Sequence, residues 1–152
     1  MKHHARIVAS LLLLAACGCQ NPDTQEKASE NDIDAARNFI RAALDGKFNE
    51  ARSFLYSDST NNQYMDLAER SYQKMDPDTR RNYREASINI HNVTPVNDST
   101  SVIIFSNSYK NEHDTLRVLR RNNQWLVDLK YLFQHDMDST RPVMAPSKDS
   151  NR

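Results

Sequence analysis

One change of hydrophobic period near residue 86 does most to limit what this chain can fold into. Before it, apolar residues recur every three or four positions; after it, they alternate. Ala36, Phe39, Ile40, Ala43 and Leu44 follow the i, i+3, i+4, i+7, i+8 stripe of an amphipathic helix. Asn31 or Asp32 can cap its start, Asp34 suits the first turn, and Gly46 closes it just past the end. Phe48, Ala51, Phe54 and Leu55 predict a short second helix. Met65, Ala68, Tyr72 and Met75, with Leu67 beside them, predict a third. Asp76-Pro77 has the form of a cap followed by proline at the first helical position, opening a last helix over about 77–84.

Four strand-like runs follow, over 86–93, 102–109, 114–120 and 125–132. The last places Trp125, Val127, Leu129 and Tyr131 on one face and Leu126, Asp128 and Lys130 on the other. Pro95-Val96-Asn97-Asp98, Lys110-Asn111-Glu112 and Arg121-Asn122-Asn123 are turn-like. Loops this short imply antiparallel hairpins. Helices first and a meander second is an α+β order, with N-terminal helices packed on a four-stranded antiparallel sheet. Asp-Ser-Thr recurs at 58–60, 98–100 and 138–140 in differing surroundings. It is turn chemistry and no structural repeat.

The chain has 152 residues and two cysteines, Cys17 and Cys19, both ahead of the first helix. The folded part therefore has no thiolate to act as nucleophile or metal ligand, and no disulfide to staple it. Residues 1–6 carry Lys2 and Arg6, and residues 7–16 form an apolar run of ten. A bilayer span takes roughly 20 such residues, so this is the pattern of a signal peptide over 1–16. The run ends Leu14-Ala15-Ala16-Cys17-Gly18, which resembles the bacterial lipobox, where the cysteine is lipidated and becomes the new N-terminus. Cys17 is thus the expected lipidation site, and several acyl chains on it would anchor the protein stably. Gly18 stands where an Asp would favour inner-membrane retention, so the expected location is the cell envelope, at the outer membrane.

Residues 17–31 are polar past the cysteine and predict a flexible tether, putting the domain about 20 Å from the membrane. Residues 134–152 predict a loose polar tail, leaving a single domain over 32–133. Without Lys2 and Arg6 the mature chain holds 18 basic against 20 acidic residues, a net of −2. That near-neutral balance carries no footprint for nucleic acid.

Two further stretches carry a resemblance. Ala-Arg-Asn-Phe-Ile-Arg-Ala-Ala-Leu-Asp-Gly-Lys-Phe-Asn-Glu-Ala (36–51) and Leu-Arg-Arg-Asn-Asn-Gln-Trp-Leu-Val-Asp (119–128) resemble small bacterial lipoproteins of the nuclear-transport-factor-2-like (cystatin-like) superfamily. The resemblance spans roughly 33–132 and rests on structural positions. It implies a curved antiparallel sheet wrapped around helices as a cone, often with a pocket at the wide end. The superfamily includes enzymes such as ketosteroid isomerase as well as binding modules, so the fold does not choose between them.

An enzyme of that kind needs a carboxylate or histidine facing the cone against an apolar wall. Asp128 is the residue best placed by sequence, with Tyr64, Tyr72 or Tyr109 as hydrogen-bond donor, or with His91. A salt bridge to Lys or Arg is the simpler role for Asp128. His91, His113 and His135 occur singly, without the spacing of a metal site. Arg80, Arg81, Tyr83 and Arg84 form a solvated helix face. There is no phosphate-binding glycine loop and no Gly-x-Ser-x-Gly elbow, and no cofactor is implied. The expected function is a membrane-anchored envelope module that binds a small apolar ligand or an envelope protein without catalysis. A small isomerase, dehydratase or hydrolase built on Asp128 is the alternative.

Overall fold

The computed structural model describes residues 29–132. The expected signal peptide, Cys17, Cys19, most of the tether, His135 and the 134–152 tail lie outside the described residues. Four helices, α1 (Asp32–Leu44), α2 (Phe48–Ser53), α3 (Ser59–Lys74) and α4 (Pro77–Glu85), precede four strands, β1 (Ile88–Asn97), β2 (Thr100–Asn107), β3 (Asp114–Arg121) and β4 (Gln124–Asp128). The strands pair antiparallel in the order β1-β2-β3-β4. The fold is α+β, as the change of period predicts.

Local chemistry sets the helix ends. The Asn31 side chain accepts from the Asp34 N–H at 2.9 Å, and Asp32 and Asp34 lie at the positive end of α1. Gly46 takes φ +75°, and the Gly46 and Lys47 N–H groups close the helix onto the Ala43 and Ala42 carbonyls. Asp58 caps α3 by accepting from Asn61 N–H at 2.8 Å, so the first Asp-Ser-Thr triplet starts a helix. Asp76 accepts from the Asp78 and Thr79 N–H groups, with Pro77 at the start of α4.

The stripe on α1 buries Ala35, Ala36, Phe39, Ile40 and Ala42, and this helix touches all four strands. Facing it across the core are Ile103, Phe105, Leu116, Val118, Val127 and Leu129. Alternation along β2 to β4 delivers these residues to one face of the sheet. The remaining helices close the sides. Met65 brings α3 into the core, and Arg52 ties α2 to α3 through Asp66 at 2.7 Å and Glu69 at 3.1 Å. α4 buries no residue of its own, and Arg41 on α1 holds it instead. The Arg41 guanidinium donates to the carbonyls of Ala86 (2.8 Å), Arg84 (3.2 Å) and Tyr83 (3.3 Å), a cation on the negative end of that helix.

Several boundaries differ from the sequence expectation, β2 by two residues at each end, and three of the differences have a local cause. The β1–β2 turn falls at Asp98-Ser99, past the predicted Pro95–Asp98, because Pro95 and Val96 stay in strand. β1 is an edge strand, where a proline breaks no ladder, and a register shift at Val96 absorbs the irregularity. β4 stops at Asp128, short of the predicted 132. There the Asp128 carboxylate accepts the Lys130 N–H at 3.1 Å and turns the chain into a helical arc over 130–132. At the other end the fold reaches back into the expected tether. Ser29 is buried, and Asn38 of α1 donates to its hydroxyl at 3.3 Å. The β3–β4 turn is as predicted: Asn122 and Asn123 take φ +48° and +65°, a pair that suits a tight hairpin.

Outside the meander, Leu55 makes a parallel bridge with Val127. Tyr56 N–H donates to the Val127 carbonyl and Val127 N–H to the Phe54 carbonyl, both at 2.8 Å. The segment between α2 and α3 therefore covers the β4 edge.

A candidate ligand cavity under the first helix

α1 crosses the sheet without filling the space at one end. A cavity of about 290 Å³ opens there between Phe39, Ile40, Ala43 and Leu44 of α1 and Phe105, Leu116 and Leu129 of the sheet side. That is close to the small end of ligand pockets, roughly 300–1,000 Å³. Its polar members come from α4, the end of β2, the β2–β3 loop and the start of β3: Tyr83, Asn107, Lys110, Glu112 and Asp114. A wider depression of about 460 Å³ lies along α3, but Leu67, Ala68, Arg70, Ser71 and Lys74 all belong to one helix, which provides no opposing wall.

Asn107 is the best-fixed polar group of the cavity. It is 7 % exposed. Its Oδ1 accepts from the N–H groups of Tyr109 (3.1 Å) and Lys110 (2.9 Å), and its own carbonyl accepts from Asn111 N–H at 2.8 Å. Both side-chain partners are N–H donors, so the amide orientation follows, with Nδ2 as the free end. Among the described residues Nδ2 donates to nothing, although the residue lines the cavity. Tyr83 stands beside it with its ring edge-on to Tyr109, centroids 5.0 Å apart. Burial pushes the Tyr83 phenol up and Lys110 opposes the rise, so its hydroxyl stays protonated and able to donate.

The residues singled out by sequence are placed differently. Asp128 is 1 % exposed and does not line the cavity. Arg117, directly across from it on β3, reaches its Oδ2 with Nη2 at 2.5 Å and Nε at 3.2 Å. Lys130 holds Oδ1 through its N–H and brings its ammonium to 3.7 Å. The carboxylate thus has the structural role, with both oxygens committed. Tyr72 donates to the Leu44 carbonyl at 3.4 Å and packs edge-on against Phe48, bracing the turn at Gly46. Tyr64 packs against the core. Tyr109 is partly exposed beside Tyr83.

His91 and His113 do come together. Their rings lie 4.2 Å apart on the surface, and His91 Nε2 is 2.8 Å from Ser106 Oγ. The register shift at His91 makes this contact, and spacing gives no hint of it. Among the described residues no group of three or more His, Cys, Asp or Glu side chains is placed to hold a metal ion. None of the described helices is long and apolar enough to cross a membrane.

Sequence reasoning missed the polar rim. Asn107 fell inside a predicted strand, Lys110 and Glu112 inside a predicted turn, and Tyr83 on a helix face. The usable signal was Asn107 at a strand end two and three residues before the N–H groups it caps, a common side-chain turn. Compared with known proteins, the chain matches no family model, no curated protein and no solved structure.

Proposed function

We propose that the protein is an envelope lipoprotein, anchored through lipid on Cys17, whose domain binds a small apolar ligand beneath α1 without transforming it. We infer further that it is a small lipoprotein of the nuclear-transport-factor-2-like kind. Helices followed by a meander, with α1 laid across the sheet, support that assignment. The cavity is the observation that carries the binding proposal. It is walled by aromatic and aliphatic side chains and rimmed by a few fixed polar groups, the usual composition of a ligand site. The catalytic alternative draws no support from Asp128, which is locked to Arg117 away from the cavity.

The two halves of the proposal are tested separately. Metabolic labelling with palmitate should mark the full-length chain, and Cys17→Ala should abolish the label and release the protein from the membrane fraction. Density fractionation of the envelope then assigns the membrane. For binding, solvent extraction of the purified full-length protein should yield an apolar compound in near-equal molar amount. An empty extract, with no apolar probe taken up on addition, would remove the small-ligand proposal and leave a protein partner as the reading to pursue.

A further inference from the structure

The groups at the cavity mouth carry more information than the apolar walls, and they bear on what the ligand's polar end must be. Asn107 is a largely buried residue whose amide nitrogen stays accessible and meets no protein acceptor among the described residues, while its oxygen is held by two backbone N–H groups. A donor kept this way is satisfied only by water or by a ligand acceptor. Tyr83 lines the same space. Around them stand Lys110, Glu112 and Asp114, one cation against two carboxylates. A ligand carboxylate would meet two like charges. A ligand ammonium would find those carboxylates, but it would leave the Asn107 donor without an acceptor.

We infer that the cavity selects an uncharged amphiphile whose carbonyl or hydroxyl oxygen accepts a hydrogen bond from Asn107 Nδ2, with its hydrocarbon part against Phe39, Phe105 and Leu116. This rests on the cavity being a ligand site, as proposed above. The net negative rim disfavours an anion, and the unpartnered amide donor, which demands an acceptor, disfavours an ammonium. The class includes fatty amides, esters and alcohols of medium length.

The test uses the full-length chain in vesicles and a photoactivatable ten-carbon amide. Unlabelled decanamide, decanoate and decylammonium serve as competitors. Labelling is expected on peptides of α1 and β2, with decanamide competing at about tenfold lower concentration than either ion, the worth of one neutral hydrogen bond. Asn107→Asp keeps the oxygen that caps Tyr109 and Lys110 while replacing the donor. It should weaken decanamide competition about tenfold without losing the fold by circular dichroism. Asn107→Ser, whose hydroxyl can also cap that turn, is the second variant and should behave alike. If the ions compete as well as the amide, or both variants bind decanamide as the parent does, the head-group inference is overturned while the cavity remains a binding site. If no probe labels α1 or β2, the cavity proposal itself falls, and the inference with it.

Discussion

Asn61 on α3 and Leu129 just past β4, 68 positions apart, are joined by a hydrogen bond of 2.9 Å from the Leu129 N–H to the Asn61 side-chain oxygen. Asn61 is 0 % exposed, and its Nδ2 donates to the Tyr56 carbonyl at 2.9 Å. One amide thus satisfies a backbone acceptor before α3 and a backbone donor where the sheet ends. Asn61→Leu removes both bonds and strands two buried backbone groups, each worth about 1–3 kcal/mol. The expected loss is about 2–4 kcal/mol, read from urea unfolding. A loss below about 0.5 kcal/mol would show that water or relaxation replaces both bonds.

Gly46 and Tyr72 form a second such junction. A Cβ on Gly46 would sit 2.6 Å from Tyr72 Cε1, and the backbone there is at φ +75°. Gly46→Ala should therefore cost about 1 kcal/mol from the left-handed backbone and a further 1–3 kcal/mol from overpacking. Only the second part depends on the ring. Tyr72→Leu introduced beside Gly46→Ala should recover part of the overpacking, so a double-mutant cycle is expected to couple the sites by about 1 kcal/mol. Additive losses would mean the ring swings aside freely.

These two junctions show which parts of the molecule could be read from the chain. Helix α1 was readable because its cap, its stripe and Gly46 are local features that agree. The order of helices and strands followed from period alone. Asn61 could not be found that way: on a helix mostly facing solvent it is one polar residue among several, and its partners become visible only once β4 packs nearby. Asp128 stands out in the sequence as a candidate, with an ion pair as its simpler role. Choosing between the roles required the register that sets it across from Arg117. The cavity rim was hidden for a related reason. Asn107, Lys110 and Tyr83 come from three segments, and each alone looks like ordinary strand, turn or helix surface.

Asp58 and Lys130 should shape the dependence of stability on pH. The Asp58 carboxyl lies below its ordinary value, because it accepts the Asn61 N–H and then the Lys130 ammonium. A lowered carboxyl stabilises fully above its unfolded value near 3.9, and the contribution fades as pH falls through the lower folded value. Lys130 is raised, chiefly by its hydrogen bond to Asp58. Its contribution is complete below about 10.4 and is lost as pH rises through the higher folded value. Asp58→Asn retains a helix-capping side chain but removes the charge. It should flatten the acid limb of a melting-temperature profile below about pH 4 and reduce the alkaline loss above about pH 10. Asp76, also lowered by its bonds to Thr79, should leave a residual acid limb. Parallel profiles for the two proteins would show that the pair contributes nothing.

Arg117 and Asp128 test whether the buried carboxylate is structural. Arg117→Met leaves a carboxylate that is 1 % exposed with only Lys130 for company. Breaking a buried pair costs about 3–5 kcal/mol, but Arg117 is one-third exposed and Lys130 remains, so about 2 kcal/mol is expected. Asp128→Leu in the Arg117→Met background should recover at least half of that, because it removes the stranded charge. Equal losses in the single and double variants, by chemical unfolding, would mean that the carboxylate tolerates isolation.

Ala43 offers a direct test of the cavity. It faces the space from α1, where a larger side chain projects into the void and not into packed core. Ala43→Phe should therefore fill much of the 290 Å³ at little cost. Overpacking of about 1–3 kcal/mol is expected only where no space exists, so the fold should lose less than about 1 kcal/mol or gain slightly. Uptake of an apolar probe should fall at least tenfold, since the phenyl ring occupies the hydrocarbon site. Asp128→Asn, outside the cavity lining, should leave uptake unchanged. If Ala43→Phe is tolerated and the probe still binds as in the parent, the ligand lies elsewhere, and the exposed faces of the sheet and α3 become the places to look. If Ala43→Phe instead costs several kcal/mol, the space is smaller in solution than it is here, and the ligand proposal loses its main support.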